Sequence, residues 1–229
     1  MTAALWPAVG SETLLDGDEV CVVREVVLVG TSAIREIAIE RPEDPPSLLQ
    51  GWCDRADPAV PIPYWAEIWP ASRAIARRLA AGPLLAGTST LDLGCGLGLS
   101  GVAAGLMGSR VTFADNHPDA LVFARKNARA AGLSDAGFLG VDWHEPSWAR
   151  PFDLVLGADV IYDRGAHEAI LGILEKLLAG GGTAWLGDPC RDIAKAFLDE
   201  WAKQHAAVTI RIEAVAGEEV ASAIHELRL

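Results

Sequence analysis

Basic residues are scarce in this chain of 229: 19 Lys and Arg stand against 31 Asp and Glu, for a formal net charge of −12. That balance argues against gripping nucleic acid through a general basic surface, and it suits a basic partner such as a Lys-rich protein. Cysteine is also sparse. Cys21, Cys53, Cys95 and Cys190 form no C-x-x-C pair and no Cys/His spacing of a zinc site, which excludes a disulfide scaffold and predicts reduced thiols. No apolar run approaches the roughly 18 residues needed to cross a bilayer. The first residues, MTAALWPAVGSETLLDGDEV, lack a basic segment followed by a continuous apolar one, so no secretory signal is expected and the predicted location is cytoplasmic. Internal repeats and low-complexity tracts are missing as well. What is present is 51% hydrophobic and 22% charged residues, the balance of a globular protein.

The acidic excess is uneven, with eleven acidic and four basic residues among the first 60. Two readings stand side by side: a solvated, solubilising face, or a docking face for a cationic partner. Residues 1–60 also differ in pattern. Alternating, β-branched runs at Val20–Val29 and Ala33–Ile39 predict a small sheet or hairpin, and the proline-rich stretch Arg41–Pro63 reads as a surface connection. The predicted organisation is a β-rich extension over 1–60 followed by one α/β domain over 61–229.

From residue 70 the pattern alternates between strand and helix. Helices are predicted at Pro70–Ala81, Ser100–Met107, Pro118 to about Gly132, Ala166–Ala179 and Arg191–Gln204. The strands between them are short, apolar runs, which predicts a doubly wound, mostly parallel sheet covered on both faces. Val208–Val215 and Ala221–Leu229 are joined by a short connection at Gly217–Glu219 with no helix. They cannot both run parallel to the rest, so a seven-stranded sheet ending in an antiparallel hairpin is expected.

The sharpest motif is Leu91-Asp92-Leu93-Gly94-Cys95-Gly96-Leu97-Gly98-Leu99-Ser100-Gly101, between a strand and a helix. Glycines there let the backbone turn tightly and approach a ligand, and the following helix offers unpaired N–H groups. Gly96-x-Gly98-x-x-Gly101 fits a dinucleotide fingerprint. Asp92-x-Gly94-x-Gly96-x-Gly98 resembles the loop of class I S-adenosylmethionine (SAM)-dependent methyltransferases. Asp92 at the strand end can accept from a methionine amine or fix the loop. Asp115 ends the next strand, where a carboxylate accepts ribose hydroxyls under either reading. The C-terminal hairpin favours SAM, and so does Asp142-Trp143, which offers a carboxylate for an adenine amino group and a ring for its face.

Asp159-Val160-Ile161-Tyr162 resembles the D-x-x-Y motif of the family-16 seven-β-strand methyltransferases, most of whose characterised members methylate protein lysines. Pro63-Tyr64-Trp65-Ala66-Glu67-Ile68-Trp69-Pro70-Ala71 is similar to that family's aromatic segment before the first core helix. Gly187-Asp188-Pro189-Cys190-Arg191 resembles a G-D-P-x-R stretch of bacterial relatives, including those similar to electron-transfer-flavoprotein β-subunit lysine methyltransferases. The resemblance covers about residues 60–229. It implies SAM as cofactor, held by Gly94, Gly96 and Gly98 at the methionine part, Asp115 at the ribose, and Asp142 and Trp143 at the adenine. Asp92, Asn116 and Ala158 join the cofactor side, Trp69 covers it, and Asp159 and Tyr162 face the acceptor. It further implies a lysine-bearing protein substrate. A small-molecule N-methyltransferase differs only in its acceptor and stays open.

Other arrangements have less support. Tyr162 is the one tyrosine after the glycine loop and begins no Tyr-x-x-x-Lys pair, which counts against a large class of NAD-dependent oxidoreductases. A non-catalytic SAM-fold binding protein would not need Asp115, Asp159 and Tyr162 intact. Ala158-Asp159-Val160-Ile161 stands where base amino-methyltransferases carry N/D-P-P-Y/F, so a nucleobase substrate is not expected. His117 reads as a helix-start residue and His167 as exposed, while Trp52, Trp65, Trp148, Trp185 and Trp201 read as core anchors.

Overall fold

The computed structural model describes residues 21–28, 36–55, 62–144, 151–178, 181–205, 209–213 and 222–229. Strands β1 (Val22–Leu28) and β2 (Glu36–Pro42) pair antiparallel as a separate two-stranded sheet. The stretch expected to be a surface connection instead carries helix α1 (Pro45–Arg55). The prolines stand in its first turn, where a missing N–H costs nothing, and the Asp44 carboxylate accepts from the Ser47 N–H at 3.1 Å and from its hydroxyl at 2.5 Å. A 3-10 turn at Tyr64–Ala66 then leads into α2 (Pro70–Ala81), which also starts on a proline.

The main domain continues through β3 (Ser89–Leu93), α3 (Leu99–Leu106), β4 (Arg110–Asp115), α4 (Pro118–Ala130), β5 (Gly137–Gly140), β6 (Leu154–Ala158), α5 (His167–Leu177), β7 (Thr183–Asp188), α6 (Asp192–Gln204), β8 (Thr209–Glu213) and β9 (Ser222–Leu227). The seven strands lie in the order β5-β4-β3-β6-β7-β9-β8. Neighbours run parallel as far as β7, and β9 is antiparallel to both β7 and β8. The expected mostly parallel sheet with a reversed C-terminal hairpin is therefore present. Gly217–Glu219 and Trp148 lie outside the described residues.

Alternation along the strands builds two cores. Leu154 and Leu156 join α2, α3 and α4 on one face, while Val155 joins α5 and α6 on the other through Ile170, Leu174, Phe197 and Trp201. The small sheet packs on the first of these cores, to which Val27, Ile37 and Ile39 belong. Buried Asn127 on α4 fixes it in place. Its Oδ1 accepts from the Glu40 N–H at 2.7 Å, and its amide donates to the Glu40 and Leu97 carbonyls at 3.0 and 2.9 Å. Glu25 adds a second anchor by pairing with Arg41 and with Arg73 of α2.

The chain winds outward from β3 to β5, then returns to β6 on the other side of β3. A crevice opens at the carboxyl ends of strands where the order reverses in this way. Here it lies over the ends of β3 and β6.

Candidate active site

Three alternating left-handed glycines shape the turn after β3: Gly94, Gly96 and Gly98 have φ of 63°, 50° and 84°. A Cβ on Gly94 would stand 2.8 Å from Val160 Cγ1 and 3.1 Å from Trp143 Cζ2, so this position tolerates no side chain. Asp92 supports the loop from behind. Its buried carboxylate accepts from the Gly101 N–H at 2.8 Å, and burial, opposed by that bond, pushes its pKa up to about 8. Asp92 does not line the cleft, so of the two roles open to it the geometry carries the loop-fixing one. A Cβ on Gly101 would meet Phe113 Cε1 at 2.3 Å and Asp92 Oδ2 at 2.9 Å. Gly101→Ala is therefore expected to destabilise the fold by about 1–3 kcal/mol, read as a lower urea midpoint; an unchanged midpoint would show that the contact relaxes freely.

Asp115 ends β4 beside this loop. One carboxylate oxygen accepts from the Gly96 N–H and the other from the His117 N–H, both at 2.9 Å. Burial raises its pKa to about 6 against the pull of these bonds. Each oxygen keeps a second lone pair, so the group still has room for two hydroxyl donors.

Glycine loop, Asp115 and the ends of β6 and α2 enclose an open cleft of about 130 Å³. Trp69, Gly94, Gly96, Gly98, Asp115, Asn116, Trp143, Ala158, Asp159 and Tyr162, all singled out from sequence, line it. Asp142 does not. It is exposed, and its Oδ1 turns back to accept from the His144 N–H at 2.8 Å, the local side-chain turn that aspartate favours. One oxygen of the expected carboxylate for an adenine amino group is thus engaged in a local turn.

The cleft also includes residues that the sequence reading passed over. Trp65, expected as a core anchor, is 6% exposed and forms part of the wall. His117 caps α4, as a helix-start residue does, yet also lines the cleft. Its Nδ1 accepts from the Asp119 N–H at 3.3 Å, which leaves the proton on Nε2, and burial pulls its pKa down to about 4, so it is neutral at pH 7. Trp65 Nε1, Trp143 Nε1 and His117 Nε2 are all buried without a hydrogen-bond partner among the described residues. All three residues line the cleft, though the donor atoms themselves are closed off from solvent. Cys95 also lines it, but burial and the Asp115 charge hold its pKa well above the usual thiol value, so it offers no thiolate.

At the cleft mouth Tyr162, Tyr64 and Trp69 form an aromatic group. Tyr64 packs edge-on against Tyr162 at 5.8 Å and against Trp69 at 6.3 Å between ring centroids, and the Trp69 indole N–H donates to the Tyr64 carbonyl at 2.9 Å. Tyr162 is 43% exposed, and burial of the remainder pushes its phenol up, so it stays protonated. Asp159 adopts a left-handed φ of 60° and is ion-paired to Arg191. His167 is only part-buried, contrary to expectation: its Nε2 lies 3.2 Å from the Ile161 carbonyl and its ring meets Phe197 edge-on.

This combination of switch-point cleft, left-handed glycine turn and strand-end carboxylate defines an α/β domain built to hold a nucleoside-bearing cofactor. Residues 84–226 match the family described as "Methyltransferase domain", and the chain belongs to that family. It is 36% identical over 134 residues to the electron transfer flavoprotein beta subunit lysine methyltransferase of Danio rerio, covering 57% of this chain and 52% of that protein. It is 32% identical over 124 residues to the protein N-lysine methyltransferase METTL21A of Danio rerio, covering 50% and 56%. The chain thus spans about half the length of the curated relatives it matches. Among solved structures, magnesium protoporphyrin IX methyltransferase from Synechocystis with bound SAM aligns with a TM-score of 0.54 at 19% identity, over 69% of this chain and 78% of that one. At that identity the likeness shows the fold.

The residues present fit SAM. Gly94, Gly96 and Gly98 let the backbone approach it, Asp115 suits ribose hydroxyls, and Asp115, Asp159 and Glu67 give the cleft an acidic lining for a sulfonium cation. Among the described residues no helix is long and apolar enough to cross a membrane.

Proposed function

We propose that the chain is a cytoplasmic SAM-dependent methyltransferase that methylates lysine side chains of a protein substrate. One observation carries this reading: the Asp159–Tyr162 turn and the aromatic group at its mouth share one cleft with the glycine loop and Asp115. The names of the relatives at 36% and 32% identity support it.

On this reading Gly94, Gly96 and Gly98 let the backbone approach the methionine part, Asp115 accepts from the ribose hydroxyls, and Trp143 covers an apolar face. SAM, when bound, supplies a methyl on a positively charged sulfur, so the leaving group needs no further activation. The acceptor raises the harder problem. At an unperturbed pKa near 10.4 only about one lysine in 2,500 is neutral at pH 7, a penalty of roughly 4.6 kcal/mol. Tyr64, Trp69 and Tyr162 reduce it by keeping water from the amine, because desolvation disfavours the ammonium form. The Tyr162 hydroxyl orients the amine lone pair, and Asp159 draws the cationic side chain into the cleft before it loses its proton.

The pH dependence of cofactor binding follows from Asp115. Its ionised form accepts both hydroxyls, whereas its protonated form has lost part of that capacity. SAM affinity is therefore expected to rise as pH climbs through about 6 and to level off above it, as calorimetry from pH 5 to 8 would show. A flat profile would remove Asp115 from the ribose.

The function itself is tested by incubating the full chain with methyl-labelled SAM and a protein extract of its source organism, with Asp115→Ala as control. Label that protease digestion releases, and that the control lacks, is the expected result. Label confined to small molecules would move the acceptor to a metabolite, and label released by nuclease would overturn the protein substrate.

A further inference from the structure

Two non-glycine residues among those described have positive φ, and both flank one ion-pair network: Asp159 at 60°, just after β6, and Cys190 at 63°, following β7. Such conformations cost roughly 1–3 kcal/mol each and persist where surrounding contacts hold them. The contacts are visible here. Arg191 Nε and Nη2 donate to Asp188 Oδ2 at 3.0 and 2.8 Å, the Arg191 N–H donates to Asp188 Oδ1 at 2.7 Å, and Nη2 also reaches Asp159. The Asp159 N–H donates to the Gly187 carbonyl at 2.9 Å, tying the same two strand ends through the backbone. Asp188 is fully buried and the Asp159 side chain is 9% exposed. Neither strand packing nor glycine loop calls for this arrangement, and Tyr162 stands three residues beyond Asp159.

We propose, resting on the methyltransferase reading above, that Arg191 is a positioning residue for the acceptor end of the cleft. It clamps Asp159 to Asp188, fixes the turn that carries Tyr162, and leaves two carboxylates on one guanidinium. The charge that Asp159 keeps at the cleft selects a cationic acceptor, a primary ammonium, over a neutral or anionic one. A single arginine serves because its planar fork meets both carboxylates at once, which the point charge of a lysine does not.

The other charged and titratable groups around Asp159 are Asp188, with His225 of β9 facing it, and Tyr162, Tyr64, Glu67 and Asp115 across the cleft. Burial raises the pKa of Asp159 and Arg191 opposes that rise, so removing the guanidinium leaves Asp159 protonated over a wider range. The rise in the Asp159 midpoint reports the ion pair, and loss of an acceptor probe with cofactor binding kept is the signature that a merely structural arginine would not produce. The test compares wild type, Arg191→Gln and Arg191→Lys by carbon NMR titration of the Asp159 carboxyl, with S-adenosylhomocysteine and n-butylammonium as cofactor and acceptor probes.

In Arg191→Gln the Asp159 midpoint is expected to rise by about one unit or more, tenfold in the protonation equilibrium. At a pH between the two Asp159 midpoints, where Asp159 is ionised in the wild type and neutral in the variant, n-butylammonium binding should weaken by up to a similar factor while S-adenosylhomocysteine affinity is kept. Arg191→Lys, which preserves the charge should the glutamine variant not fold, falls between the two. A folded Arg191→Gln protein with the wild-type Asp159 midpoint and wild-type n-butylammonium affinity would overturn the clamp. Failure of the wild type to bind S-adenosylhomocysteine would instead overturn the methyltransferase reading, and the Asp159 titration would still report on Arg191.

Discussion

Asp115→Ala is expected to weaken SAM binding by about 100-fold or more. Two hydroxyl bonds to a carboxylate contribute roughly 1.5–3 kcal/mol each, and their loss corresponds to roughly 10²- to 10⁴-fold in affinity. The substitution also orphans the Gly96 and His117 N–H groups that the carboxylate now accepts from, so the glycine loop loses its anchor. Asp115→Asn keeps an acceptor on one oxygen and should fall between wild type and alanine. Calorimetry measures both, with the thermal transition of each variant as the check on folding. A folded alanine variant that binds SAM within threefold of wild type would place the ribose elsewhere.

Asp159→Asn and Tyr162→Phe should act on transfer and spare cofactor binding. Asparagine tolerates the left-handed backbone at this position, so the first change removes charge with little added strain. Losing a charge-assisted interaction with the incoming ammonium is expected to lower methyl transfer about 100-fold. Tyr162→Phe keeps the ring that packs on Tyr64 and removes only the hydroxyl, for a loss of about tenfold. SAM affinity should stay within about twofold of wild type for both. Equal losses in binding and in transfer would take these residues off the acceptor side.

The parts of the site legible in the sequence were those whose chemistry is local. The glycine turn and its flanking acids are short-range requirements of one strand-to-helix connection, and Asp115, Ala158 and Asp159 sit at strand ends. The reversed edge of the sheet was legible because a short connection forces it. Local competition misled the reading at the prolines before Ser47, which look like breakers but occupy a helix start capped by Asp44. The parts that escaped were long-range. Tyr64 gains its meaning from Tyr162 across the cleft, Asn127 from the Glu40 backbone 87 residues away, and Arg191, at the start of α6, from Asp159 just after β6. Nothing in the spacing of these residues announces their partners. The aromatic density around Pro63–Pro70 was the available signal for Tyr64 and Trp65.

The most direct test of the account is the chemical identity of the transferred methyl. Protein labelled by the wild-type enzyme with methyl-labelled SAM is treated with mild base, then hydrolysed to amino acids and separated against methylated standards. The account predicts base-stable label that migrates with N-methylated lysine and is absent with Asp115→Ala. Base-labile label, the mark of a carboxyl ester, or label migrating with another amino acid would contradict it.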